Sequence, residues 1–180
     1  ITAGLKALTD RLVPPPTRAY ALGGVLATLA LAQLLGLNWG RDGRLPALAP
    51  RSIWVEREEL YREAAGFLQL RLRAGDVVAA SEIGALGYFC NCAILDTVGL
   101  ISPEAVAYYP LPAEMYATIY AVPPDLIRDR QPAYLVSLDV FIRQSLGAAD
   151  WFSREYQLIW QRPTGAFGST ALQIYARNEP

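Results

Sequence analysis

Histidine is absent from this chain. That removes the Ser-His-Asp and Cys-His nucleophile systems and every histidine-ligated metal site. Cysteine occurs twice, as Cys90 and Cys92 around Asn91. Two cysteines are too few for an ordinary structural zinc site, and a bridge across one residue is strained in an extended segment. The pair therefore reads as two small apolar fillers at a turn, with a redox or metal role as the lesser alternative. Charge is also scarce: 18% of the 180 residues are Asp, Glu, Lys or Arg, and the net charge is −1. A nucleic-acid binder normally presents a basic face, so no nucleic-acid partner is expected. No Gly-x-Gly-x-x-Gly follows a strand pattern, and there is no phosphate-loop Lys. No catalytic residue, cofactor or metal is expected. Met115 is the only methionine and position 1 is Ile, so the chain is expected to be processed or to be a piece of a longer one.

Apolar residues, by contrast, make up 53% of the sequence. In 1–13, Ile1, Leu5, Leu8 and Leu12 fall at helical spacing, which predicts a short amphipathic helix. Pro14, Pro15 and Pro16 stop it. Residues 19–37 then carry no charge. As a helix they would run roughly 28 Å, close to the ~30 Å hydrocarbon core of a bilayer. Tyr20 and Trp39 stand at the two ends, where aromatic belts form. A signal peptide has a shorter apolar core at the very N-terminus, and a buried core helix is the other rival. The expectation is one transmembrane helix over 19–38, after an amphipathic and Pro-rich segment over 1–18. Gly23, Gly24, Ala27 and Ala30 form a small-residue stripe suited to packing on other transmembrane helices or subunits. Lys6, Arg11 and Arg18 before the helix balance Arg41, Arg44 and Arg51 after it, so charge does not orient it. Gly and Pro then mark 39–52 as a linker.

The rest, 53–180, reads as one α/β domain. An amphipathic helix over 56–73 precedes a strand over 77–80. Ser81 is placed to cap a helix over 82–89, and a second strand follows at 94–95. Ser102 and Pro103 open another helix, and Pro123 and Pro124 a helical turn. A third strand spans 134–138, continuous and apolar like a buried parallel strand. Strands over 156–162 and 172–177 form a terminal hairpin. The predicted fold is a small three-layer, Rossmann-like sheet of about five strands, with a parallel centre and an antiparallel C-terminal hairpin, tethered by the transmembrane helix.

In an open α/β sheet, ligands gather at the carboxyl ends of the parallel strands. Ser81 and Glu82, Asp96 and Thr97, and Ser137 and Asp139 fall there. Such carboxylates can hold a hard cation or sugar hydroxyls. More commonly they cap turns and helix N-termini. Ser81, Glu82, Asp96 and Asp139 are the candidate ligand-binding residues, with capping as the competing role. Gly84 is expected to let the crossover helix approach the sheet. Tyr108, Tyr109, Tyr116 and Tyr120 are expected in the core or an interface, with sugar stacking as the alternative.

Glu82-Ile-Gly-Ala-Leu-Gly-Tyr88, followed by Asp96-x-x-Gly-Leu-x-x-Pro103, resembles the C-terminal region of bacterial GT-C-type membrane glycosyltransferases, among them the protein mannosyltransferases. The likeness covers roughly residues 19–110. It implies a last transmembrane helix leading to a small extracytoplasmic α/β domain, with residues 1–16 in the cytoplasm. Such enzymes use a polyprenyl-phosphate sugar, and their catalytic acid lies in an early loop that has no counterpart here. The resemblance therefore implies a non-catalytic anchor and outer domain that docks substrate or scaffolds the transferase. The alternative is a single-span accessory subunit of a larger membrane complex, without enzymatic activity. Membrane lipid, neighbouring transmembrane helices and a polyprenyl-linked sugar are the implied partners.

Overall fold

The computed structural model describes residues 18–38 and 52–178, with side chains on the first of these segments from Tyr20 to Gln33. The amphipathic helix predicted over 1–13, the prolines after it and nearly all of the linker lie outside the described residues. The chain divides into two units, Ile1–Ser52 and Ile53–Pro180.

The first unit holds helix α1, Arg18–Asn38. Its bounds follow the uncharged run, and the Thr28 hydroxyl donates back to the Gly24 carbonyl at 2.9 Å. Among the described residues no helix is long and apolar enough to cross a membrane.

The second unit is a mixed α/β domain with one five-stranded mixed sheet. Helix α2, Ile53–Gln69, buries Leu60, Tyr61, Ala64, Ala65 and Leu68, one stripe at helical spacing. It starts and stops earlier than its charge pattern predicts. The turn that follows is held by the Arg73 amide donating to Asp76. Strand β1, Val77–Ala80, then enters the core. Helix α3, Gly84–Cys90, crosses to β2, Ala93–Asp96. A 3-10 helix over Pro103–Tyr108 and helix α4, Pro124–Arg130, lead to β3, Tyr134–Leu138. Helix α5, Asp150–Glu155, runs directly into β4, Tyr156–Pro163, and β5, Ala171–Arg177, closes the sheet.

Strand order is β2-β1-β3-β5-β4. β1 pairs parallel with β2 and β3, aligning Val78 with Ile94 and Tyr134, and Ala80 with Asp96 and Val136. β5 pairs antiparallel with β3 and β4. The parallel trio therefore fills one half of the sheet, with β2 at the edge, rather than its centre. The connection from β1 to β2 and the one from β2 to β3 step across the sheet in opposite directions. With right-handed crossovers, α3 and the Pro103–Arg130 segment lie on opposite faces. Both edges are poor templates for a further strand: β2 has four residues, and β4 carries a bulge between Leu158 and Trp160 and ends on Pro163.

Four local expectations are corrected. Ser81 does not cap α3: the helix starts at Gly84 after Ile83, without a side-chain cap, and the Ser81 hydroxyl is buried. Ser102 does not cap the helix after it either. Its hydroxyl accepts the Asp96 amide at 3.0 Å and so ties that helix to the end of β2. Cys90 and Cys92 are not free fillers but a disulfide, with Cα atoms 5.3 Å apart. The segment between them is not extended. Asn91 ends α3 in the left-handed conformation, and this curl brings the two cysteines together. The glycine closest to the sheet is Gly87, whose added Cβ would meet Ile94 at 3.6 Å, whereas Gly84 faces Glu58 of α2.

Gly99 and Gly75 both have φ above +90°, but only Gly99 is crowded, its added Cβ falling 2.7 Å from Val106 Cγ2. Gly75→Ala is expected to cost about 1 kcal/mol from backbone strain alone, and Gly99→Ala about 2–3 kcal/mol. Urea midpoints at unchanged m-value check the order. Equal costs would remove the Val106 contact from the account.

Candidate functional site

The carboxyl ends of β1, β2 and β3 bring Ser81, Glu82, Asp96, Thr97, Ser137 and Asp139 to one end of the sheet, as their positions predict. They do not converge on a common point. All but Ser81 are bound to their own surroundings.

At β1, Glu82 pairs with Arg57 of α2 at 2.9 Å. Arg57 also holds Glu58 at 2.6 Å and sits 4.8 Å from the centre of the Trp54 ring. Burial raises the Glu82 carboxyl above its ordinary range, Arg57 pulls it down, and Glu58 adds to the rise. The Tyr61 hydroxyl is buried beneath this pair, beside that of Ser81, and neither completes a well-formed hydrogen bond. Burial pushes the Tyr61 phenol far up, so it stays neutral.

At β2, Asp96 is wholly buried. One carboxylate oxygen accepts the Val98 amide and the other the Ile101 amide, both at 2.9 Å. The loop after the strand thus wraps around its own carboxylate in an Asx-type turn. Thr97 Oγ1 lies 2.6 Å from the Tyr120 hydroxyl, and the Tyr109 hydroxyl reaches the Thr97 and Ala121 carbonyls at 3.0 Å each. Burial raises the Tyr109 phenol to about 12 and that of Tyr120 further still. These tyrosines act as pegs holding 116–122 across the strand ends, not as open stacking faces.

At β3, Ser137 is buried and its hydroxyl donates to the Leu138 carbonyl. Asp139 takes Arg143 at 2.6 Å and the Thr170 hydroxyl at 3.1 Å on one oxygen. Its other oxygen accepts the Thr170 and Ala171 amides, at 2.7 and 3.1 Å. Burial would raise this carboxyl, but the hydrogen bonds from Arg143, Ala171 and Thr170 outweigh it and hold it low. Asp139 therefore locks the end of β3 to the start of β5.

Arg57, Tyr61 and Thr170 are members of this rim that sequence reasoning missed. The i, i+4 pair Asp139–Arg143 was readable from spacing. The reach of Arg57 to Glu82 and of Thr170 to Asp139 depends on sheet order. Among the described residues, no group of three or more Cys, Asp or Glu stands close enough to hold a metal ion. Open clefts of about 560 and 580 Å³ lie away from the rim, one beside Phe152, Tyr156 and Tyr175, the other beside the disulfide and Arg73.

Asp96→Ala would leave two amides unpaired in the interior, at an expected cost of about 3 kcal/mol in a denaturant titration. Asp139 and Glu82 have opposite pH signatures. The folded-state value of Asp139 is lowered, so its contribution is present above the unfolded value, about 3.9, and fades as pH falls below it. The folded-state value of Glu82 is raised, so its contribution is present below about 4.3 and is lost as pH rises through the folded value. Stability profiles from pH ~3 to ~7 should therefore show the cost of Asp139→Asn, about 1–2 kcal/mol at neutrality, shrinking toward acid. They should show Glu82→Gln becoming relatively more favourable as pH rises. The same slope in both variants would contradict the assignment.

Residues 51–175 match a family described as a domain of unknown function, DUF8728. No curated protein and no solved structure matches the chain. The family match spans well over half of the 180 residues, and the chain belongs to the DUF8728 family.

Proposed function

We propose that the chain is a membrane-tethered, non-catalytic outer domain that scaffolds or docks substrate for a polyprenyl-phosphate-sugar-dependent glycosyltransferase. The observation that carries the non-catalytic part is the use of the strand-end polar groups. Where an open α/β enzyme gathers its reactive side chains, Asp96 and Asp139 hold their own loops and Glu82 is paired to Arg57. The resemblance of 82–103 to the C-terminal part of GT-C-type transferases supports the partner, and the strand–helix–strand of β1, α3 and β2 is compatible with that Rossmann-like outer domain.

Two features support the tether and its side. Residues 19–37 carry no charge, and α1 leaves Val25, Leu26, Leu29 and Leu31 uncovered. A helix that is apolar all round needs an apolar surrounding. A Cys90–Cys92 disulfide suits an oxidising compartment, which supports an extracytoplasmic α/β domain in this reading.

Alkylation in intact cells tests the side: Cys90 and Cys92 are expected to resist a thiol reagent until a reductant is added. Free thiols in both positions would overturn the extracytoplasmic placement. Intact mass after extraction in mild detergent tests the partner. A species far above 19.7 kDa is expected if transferase and outer domain share one polypeptide. A mass near that value with a stoichiometric membrane partner would instead favour a single-span accessory subunit. A chain of that mass with no partner would overturn the scaffold reading.

A further inference from the structure

We infer that the end of the sheet carrying the β1 and β2 termini rests on the lipid surface of the bilayer, through Trp54, Leu100, Ile101 and Ile119. This rests on the membrane tether proposed above and goes beyond it. A tether alone leaves the domain free to tumble.

Four separate contacts put these side chains at one end. Trp54 lies on the first turn of α2, which the Arg57–Glu82 pair fixes to the end of β1. Leu100 and Ile101 form the tip of the loop wrapped around Asp96 at the end of β2. Ile119 sits in the strap held there by Tyr120 to Thr97 and by the Val122 amide to the Phe141 carbonyl. All four are strongly exposed: 57% for Trp54, 79% for Leu100, 62% for Ile101 and 97% for Ile119. Large apolar side chains left exposed together at one end of a domain mark an interaction surface.

The lipid surface is the occupant that chain length and chemistry favour. Thirteen residues, 39–51, join α1 to Ser52, and at ~3.6 Å per step they span no more than about 50 Å. The joining chain enters the domain at Ser52, two residues before Trp54. Tryptophan with leucine and isoleucine is the set that seats about 5–10 Å into the headgroup and acyl boundary. Ion pairs stand beside this surface, Arg57 with Glu58 and Glu82, and Arg143 with Asp139. Approach to lipid strips less water from paired charges than from single ones.

Bromolipid quenching tests the inference. The full chain is reconstituted into phosphatidylcholine vesicles whose acyl chains are brominated near the headgroup, and retention is scored after an alkaline wash. Ile119→Trp is compared with Leu70→Trp, each made on Trp54→Phe. Leu70 is as exposed as the rim residues, at 84%, but follows the C-terminal end of α2, at the other end of the domain. The expected result is retention, with added quenching at position 119 at least about three-fold that at position 70. Retention with equal quenching at the two positions would overturn the docking and leave the tether standing. A blue-shifted position-119 emission without quenching would put a protein there and overturn it too. Release of the chain by the alkaline wash would overturn the tether, and the docking with it.

Discussion

The rim depends on a buried carboxylate that has no ion-pair partner among the described residues. Asp96 lies at the end of the edge strand β2, removed from water, and its carboxylate is satisfied by the amides of its own loop. Burying a carboxylate costs several kcal/mol unless hydrogen bonds replace its water. Here the replacement is possible only if residues 97–102 curl tightly, which requires the positive φ of Gly99. The Ser102 hydroxyl on the Asp96 amide then fixes the far end of the curl. One anion thus sets the loop conformation, the start of the next helix and the outward posture of Leu100 and Ile101.

Asp139 performs the related task on the other side. It joins the parallel half of the sheet to the antiparallel half, because Thr170 and Ala171 precede and open β5. The three strand-end carboxylates therefore differ by environment. Asp96 is held by amides alone, Asp139 by amides and an arginine, and Glu82 by an arginine shared with Glu58. Burial raises the proton affinity of Glu82. This residue is the least committed of the three to holding the fold.

Signals that act over a few residues were legible in the sequence. The Gly75-Asp76 turn and the apolar run after it marked β1 at its observed bounds, and the run 134–138 marked β3 in the same way. The terminal hairpin was readable from alternation on either side of Pro163 to Gly168. What was not legible depended on partners distant in the chain. Ser81 has the chemistry of a cap, but it packs beneath α2 beside Tyr61, and the helix begins without it. Thr164 donates to Glu56 across 108 positions, and Trp54 meets Phe167 in the same region. No local pattern encodes such pairs. The disulfide was missed for a local reason: it needed the left-handed turn at Asn91, which composition does not announce.

The sheet edges carry a consequence for how other molecules meet this domain. β2 offers four residues of free backbone, and β4 breaks its hydrogen-bonding row with a bulge and a terminal proline. A visiting peptide cannot extend such a sheet by more than a bond or two before the pattern fails. Recognition through main-chain pairing is closed at both sides. Any specificity this domain has must therefore be written in its side chains, on loops whose shape the carboxylates of Asp96 and Asp139 hold fixed.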